Sequence, residues 1–122
     1  MKIRIKGNSI RVRLSRTEVN NFGALGYLEE HTEFGPTTLT YALECSNDID
    51  ALGAAYEDNK ITMYVPLAML SEWVATETVG YNGAVELGEG KKLSLLLEKD
   101  YQCIDNSSED QSDNYINPNK VC

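Results

Sequence analysis

The chain is short of the residues that most chemistry needs. Its 122 residues include a single histidine, His31, and three cysteines, Cys45, Cys103 and Cys122, with no Cys-x-x-Cys pair. The paired-cysteine motif of a structural zinc site is lacking, and zinc would have to use Cys103 with the one histidine. A disulfide framework is not expected from an odd cysteine count in a chain of this size. No apolar run approaches the roughly 18–20 residues that span a bilayer as a helix. The opening, MKIRIKGNSIRVRLSR, alternates charge with aliphatic residues and lacks the uninterrupted apolar stretch of a signal peptide. A cytoplasmic protein with reduced thiols is the expectation. There is no G-x-S-x-G, no phosphate-binding P-loop and no dinucleotide fingerprint, so no cofactor is expected.

Charge is present but unevenly placed. Eleven Lys and Arg face nineteen Asp and Glu, a net −8. Residues 1–16 carry Lys2, Arg4, Lys6, Arg11, Arg13 and Arg16 and no acid, whereas residues 17–122 hold the other five bases and all nineteen acids. The leading expectation is that this basic ribbon pairs with acidic strands of the same fold. The alternative is a basic binding surface.

Period-2 hydrophobicity recurs along the chain, and it recurs twice. Ile10, Val12 and Leu14 fall on Ile61, Met63 and Val65 at a spacing of 51, and Val19 and Phe22 fall on Leu70 and Trp73. Further on, LTYALE (39–44) falls on LSLLLE (93–98) at a spacing of 54. Each half reads strand, strand, short helix, strand, strand. The first half is expected at about 1–6, 9–14, 16–23, 27–34 and 38–45, and the second at about 51–57, 60–65, 67–74, 79–87 and 92–99. Ser15 with Glu18 forms a capping-box signature, Leu14 and Val19 are spaced as a hydrophobic staple, and Gly23 or Gly26 suits the helix end. Pro66 opens the second helix, where a missing N–H is harmless. Gly7-Asn8, Asp58-Asn59, Gly35-Pro36 and Gly88-Glu89-Gly90 are hairpin turns. The fold class expected is α+β, a mostly antiparallel eight-stranded barrel. It is made from two ββαββ pseudo-repeats, 1–45 and 51–99, within one domain, 1–103, followed by an acidic tail, 104–122. Half a chain of about 50 residues would bury too little apolar surface alone.

Two resemblances follow from these motifs. The run GNSIRVRLS (7–15) and the helix after it resemble the DNA-binding domain of AbrB-type regulators and MazE-type antitoxins. In that family two chains interleave into one swapped-hairpin barrel. Ser15 stands where the family has proline, and Pro66 supplies it in the second half. The resemblance implies nucleic-acid contacts at Lys2, Arg4, Lys6, Arg11 and Arg13. The second half offers only Lys60 there, beside Glu57 and Asp58, so the symmetric basic face suited to a palindromic operator is missing. Over nearly its full length the chain also resembles a family of small uncharacterised bacterial proteins, common in Bacteroidetes. The shared features are a KIRIKGNSIR-like start, a TEFG…LTYALE segment and an EKD-x-x-C…ED-x-SD…NP tail. That resemblance implies no activity.

The tail is expected to be mobile, or else to dock through Tyr101, Tyr115 and Ile116. A metal reading joins His31 with Cys103, Asp105, Glu109, Asp110 and Asp113, and on a strand His31 shares its face with Glu29 and Glu33. A thiol reading pairs His31 with Cys45 or Cys103. The reading favoured over both is a non-enzymatic binding or interaction module. It is expected as a monomer or weak homodimer, with a protein or small-molecule partner and without nucleic acid or membrane. The alternatives are a metal- or thiol-dependent enzyme and a DNA-binding regulator.

Overall fold

A computed structural model describes residues 1–102, 113, 115 and 116. The first half runs β1 (Lys2–Lys6), β2 (Ser9–Leu14), α1 (Arg16–Leu25), β3 (Tyr27–Glu33) and β4 (Thr38–Ser46). The second runs β5 (Gly53–Glu57), β6 (Lys60–Pro66), α2 (Leu67–Ala75), β7 (Gly80–Gly88) and β8 (Lys91–Lys99). Two short strands follow, β9 (Tyr101–Gln102) and β10 (Tyr115–Ile116). The same order of elements thus occurs twice.

Local chemistry explains the boundaries. Ser15 caps α1 by accepting from the Glu18 amide, and the Glu18 carboxylate accepts from the Ser15 amide in return. Gly26 ends α1 in the left-handed region at φ 71°, while Gly23 lies inside the helix. Pro66 stands just before α2 and offers no side-chain cap, so the helix start relies on packing. Asp58 and Asn59 both take positive φ (50° and 61°), as a two-residue hairpin turn requires.

Each hairpin is antiparallel: β1–β2, β3–β4, β5–β6 and β7–β8. The hairpins do not stay within their own half. Sheet I has the order β1-β2-β8-β7 and sheet II the order β3-β4-β6-β5. Each sheet therefore takes one hairpin from each half. The joins, β2–β8 and β4–β6, are parallel.

The expected closed barrel is not what forms: eight strands make two four-stranded sheets whose ladders stop at β1, β7, β3 and β5. The outer strands carry features that end pairing. β1 alternates Lys2, Arg4 and Lys6 along its length, and β7 shifts register at a bulge between Glu86 and Gly88. No helix among the described residues is long and apolar enough to cross a membrane.

The core lies between the sheets and under the helices. It gathers Val12 and Leu14, Leu43, Met63 and Val65, and Leu95 and Leu97 from the four inner strands. The helices add Val19 and Phe22 from α1 and Leu70 and Trp73 from α2. Trp73 is fully buried, and its indole N–H donates to the Val79 carbonyl at 3.0 Å. The helices meet where Gly23 faces Val74, positions 51 apart in sequence. A methyl group on Gly23 would lie 2.8 Å from Val74 Cγ2.

The described part of the tail is docked. The Asp113 carbonyl accepts from the Arg16 amide at 2.9 Å, and the Asp113 carboxylate accepts from the Thr17 hydroxyl at 2.9 Å. Tyr115 pairs with Tyr101 in the parallel β9–β10 ladder, their rings 5.2 Å apart.

Candidate functional site

The register of sheet I turns the alternation of its strands into a surface. Lys2 lies across from Arg13, Arg4 from Arg11 and Lys6 from Ser9. The parallel join then sets Ser9 beside Ser94, Arg11 beside Leu96 and Arg13 beside Glu98. β7 completes the rows with Ala84 beside Ser94 and Asn82 beside Leu96. All five residues of the expected nucleic-acid set, Lys2, Arg4, Lys6, Arg11 and Arg13, therefore lie on one outer face, because every second residue of a strand faces the same way.

That face holds a shallow groove of about 780 Å³. Its floor is small or apolar, with Ser9, Ala84, Ser94 and Leu96. Its rim carries Arg4, Lys6, Arg11 and Lys92, and Asn82 adds an amide. Part of the charge is answered within the fold. Glu98 Oε1 lies 3.4 Å from Arg11 Nε and 3.3 Å from Arg13 Nε, and Lys2 Nζ lies 2.8 Å from Asp100. Arg4, Lys6 and Lys92 reach no carboxylate of the described residues within 4.0 Å. So the ribbon does pair with an acidic residue of the same fold, and it also leaves a cationic rim. Lys92 and Glu98 were not legible as members of this face. They arrive through the parallel β2–β8 join, which no local pattern reports.

Sheet II offers the corresponding face with the charge reversed. The row Glu57–Lys60–Thr40–His31 stands where sheet I has Lys6–Ser9–Ser94–Ala84. A smaller hollow of about 350 Å³ there is lined by Glu29, Glu44, Glu57, Asp58 and Lys60 among others. Lys60 donates to the Tyr27 hydroxyl and lies 3.5 Å from Glu29. The Tyr27 hydroxyl donates to Glu29, and this bond, with that from His31, holds the Glu29 carboxyl below the usual range.

The other candidates do not converge among the described residues. His31 is exposed on the outer face of sheet II and bonds Glu29 at 2.7 Å. Cys45 packs against the core on the opposite side of that sheet, so the two form no nucleophile–base pair. Asp113 is engaged at the start of α1, where its bonds to Ser15 and Thr17 hold its carboxyl low. No three His, Cys, Asp or Glu of the described residues stand together to hold a metal ion. Cys103, Asp105, Glu109 and Asp110 lie outside the described residues.

Comparison with known proteins bears out membership of an uncharacterised family over nearly the full length. Neither curated proteins nor solved structures give a match. A family of unknown function, DUF7009, matches residues 1–119. With nearly every residue inside that match, the chain belongs to the DUF7009 family.

Proposed function

We propose that the chain is a non-enzymatic binding module that presents the outer face of sheet I to an acidic protein segment. The observation that carries this reading is the cationic rim of Arg4, Lys6 and Lys92 around a floor containing Leu96. A cationic rim around a small, partly apolar floor suits a segment that brings carboxylates to the rim and a side chain to Leu96. Glu98 on the same face opposes a densely charged phosphate backbone but tolerates a mixed partner.

Fluorescence anisotropy with a labelled Glu-rich peptide tests the reading. Saturable binding that weakens with salt and falls about tenfold or more on Arg4→Glu with Lys6→Glu is the expected result. Absence of saturation at low salt removes it.

The second reading is a DNA-binding regulator of AbrB or MazE type. The exchange of hairpins between halves supports it, since that is the arrangement the resemblance implies. Duplex DNA in the same assay separates the two readings. Tighter binding to the duplex than to the peptide, lost on Arg11→Glu with Arg13→Glu, selects the regulator.

A further inference from the structure

Away from the sheet I face, at the end of the core where β8 meets the tail, lies a cavity of about 400 Å³. It is lined by Arg16, Thr76, Glu77, Lys99, Tyr101 and Tyr115, with Val79. Lys99 continues the inward-facing row of Leu95 and Leu97 and is only 4% exposed. A lysine so buried is normally paired, because removing its charge from water is costly. This one is not. Its ammonium donates to the Thr76 carbonyl at 2.8 Å and lies 5.0 Å from the centre of the Tyr115 ring. An ammonium has three donors, and one carbonyl satisfies one of them. No carboxylate of the described residues lies within 4.0 Å; Glu77 acts on it only from a greater distance. Arg16 reaches the same ring from α1, its Cζ 5.3 Å from the centre. Two cations thus lie against one aromatic ring and line the same cavity, Arg16 also under the charge of Asp113 and Lys99 with donors left over.

The other half of the molecule shows that the frame does not need this. The amide of Cys45 bonds the Gly26 carbonyl just as that of Lys99 bonds Val79, each at 2.9 Å. There the cation is replaced by a thiol, and Leu67 stands in the place of Arg16. The cations are therefore an addition to one end, not a requirement of the fold.

We propose that this cavity binds a small organic oxyanion, its carboxylate or phosphate received by Lys99 and Arg16 and its carbon body by Tyr101 and Tyr115. The volume falls within the range of small-molecule sites. Burial also lowers the proton affinity of Lys99, and an incoming anion would restore it.

The test is titration of the full chain with benzoate and, separately, with inorganic phosphate, followed by amide chemical shifts. Saturable shifts at residues 76–79 and 99–101 by about 10 mM are expected. Benzoate alone saturating assigns a carboxylate, and phosphate alone assigns a phosphate. Affinity should fall about tenfold or more in Arg16→Gln and in Lys99→Met, the size of a charge-assisted hydrogen bond. Arg16 is exposed, so its variant keeps the test valid if Lys99→Met does not fold. Arg4→Glu, on the outer face of sheet I, should leave the binding unchanged. The proposal is overturned if neither anion saturates, if binding survives both cavity variants, or if Arg4→Glu abolishes it.

Discussion

At the scale of single residues, the contact between Gly23 and Val74 governs how closely the helices approach. The two positions correspond in the two halves, yet one has no side chain and the other has three carbons. A methyl group at 2.8 Å from Val74 Cγ2 forces the valine or the helix to move. Gly23→Ala is therefore expected to destabilise the fold by about 1–3 kcal/mol in chemical denaturation, despite alanine's better helix propensity. Adding Val74→Ala should recover most of the loss. If Gly23→Ala proves neutral or stabilising, the helices do not meet there. Lys99 makes the opposite point. Its place at the end of an apolar alternation gave no sign of a buried cation, because the charge becomes anomalous only once the tail and the loop after α2 close over it.

At the scale of elements, the junction between α2 and β7 is held by a pH-sensitive bond. The Tyr81 hydroxyl donates to the Glu72 carboxylate. Burial and that carboxylate push the Tyr81 phenol up to about 12. A group with a raised folded-state value contributes fully below its unfolded value, near 10, and loses that contribution as pH rises toward 12. Stability measured by denaturation should thus decline between about pH 10 and 12, and Tyr81→Phe should flatten that decline. An unchanged slope in the variant would show that the bond does not form.

Much of this level was legible beforehand. The capping box at Ser15, the paired positive-φ residues at Asp58-Asn59 and the alternation of Ile10, Val12 and Leu14 are local features, and each gave its element. Strand pairing was not local. The closed barrel was expected from strand count and apolar alternation. Neither of these reports that β1 is a charged edge or that β7 ends in a bulge. The candidate site was half legible for the same reason. Its five basic residues lie in one ribbon, whereas Lys92, Asn82 and the neutralising Glu98 come from a hairpin near the other end of the chain.

At the scale of the whole molecule, neither half can complete a sheet. The hairpin β1–β2 needs β8 beside it, and β5–β6 needs β4. Fragments 1–50 and 51–122, expressed separately, should each lack a cooperative thermal transition, and mixing them should restore one. A cooperative transition in either fragment alone would contradict the exchange of hairpins. The same arrangement gives the molecule two opposed outer faces of matching geometry, one basic and one acidic.

The exchange also sets the order of events as the chain acquires its structure. Arg13 and Glu98 are register partners 85 positions apart. Sheet I has no interior until that distance has been closed, so the entropy of a very large loop is lost before its apolar face is covered, whereas sheet II joins β4 to β6 with Thr40 beside Lys60, only 20 positions apart. Completion of sheet I is therefore the slow step, in which its first hairpin forms and dissolves until the last strand arrives. A ribosome would release most of this chain before sheet I could hold its shape.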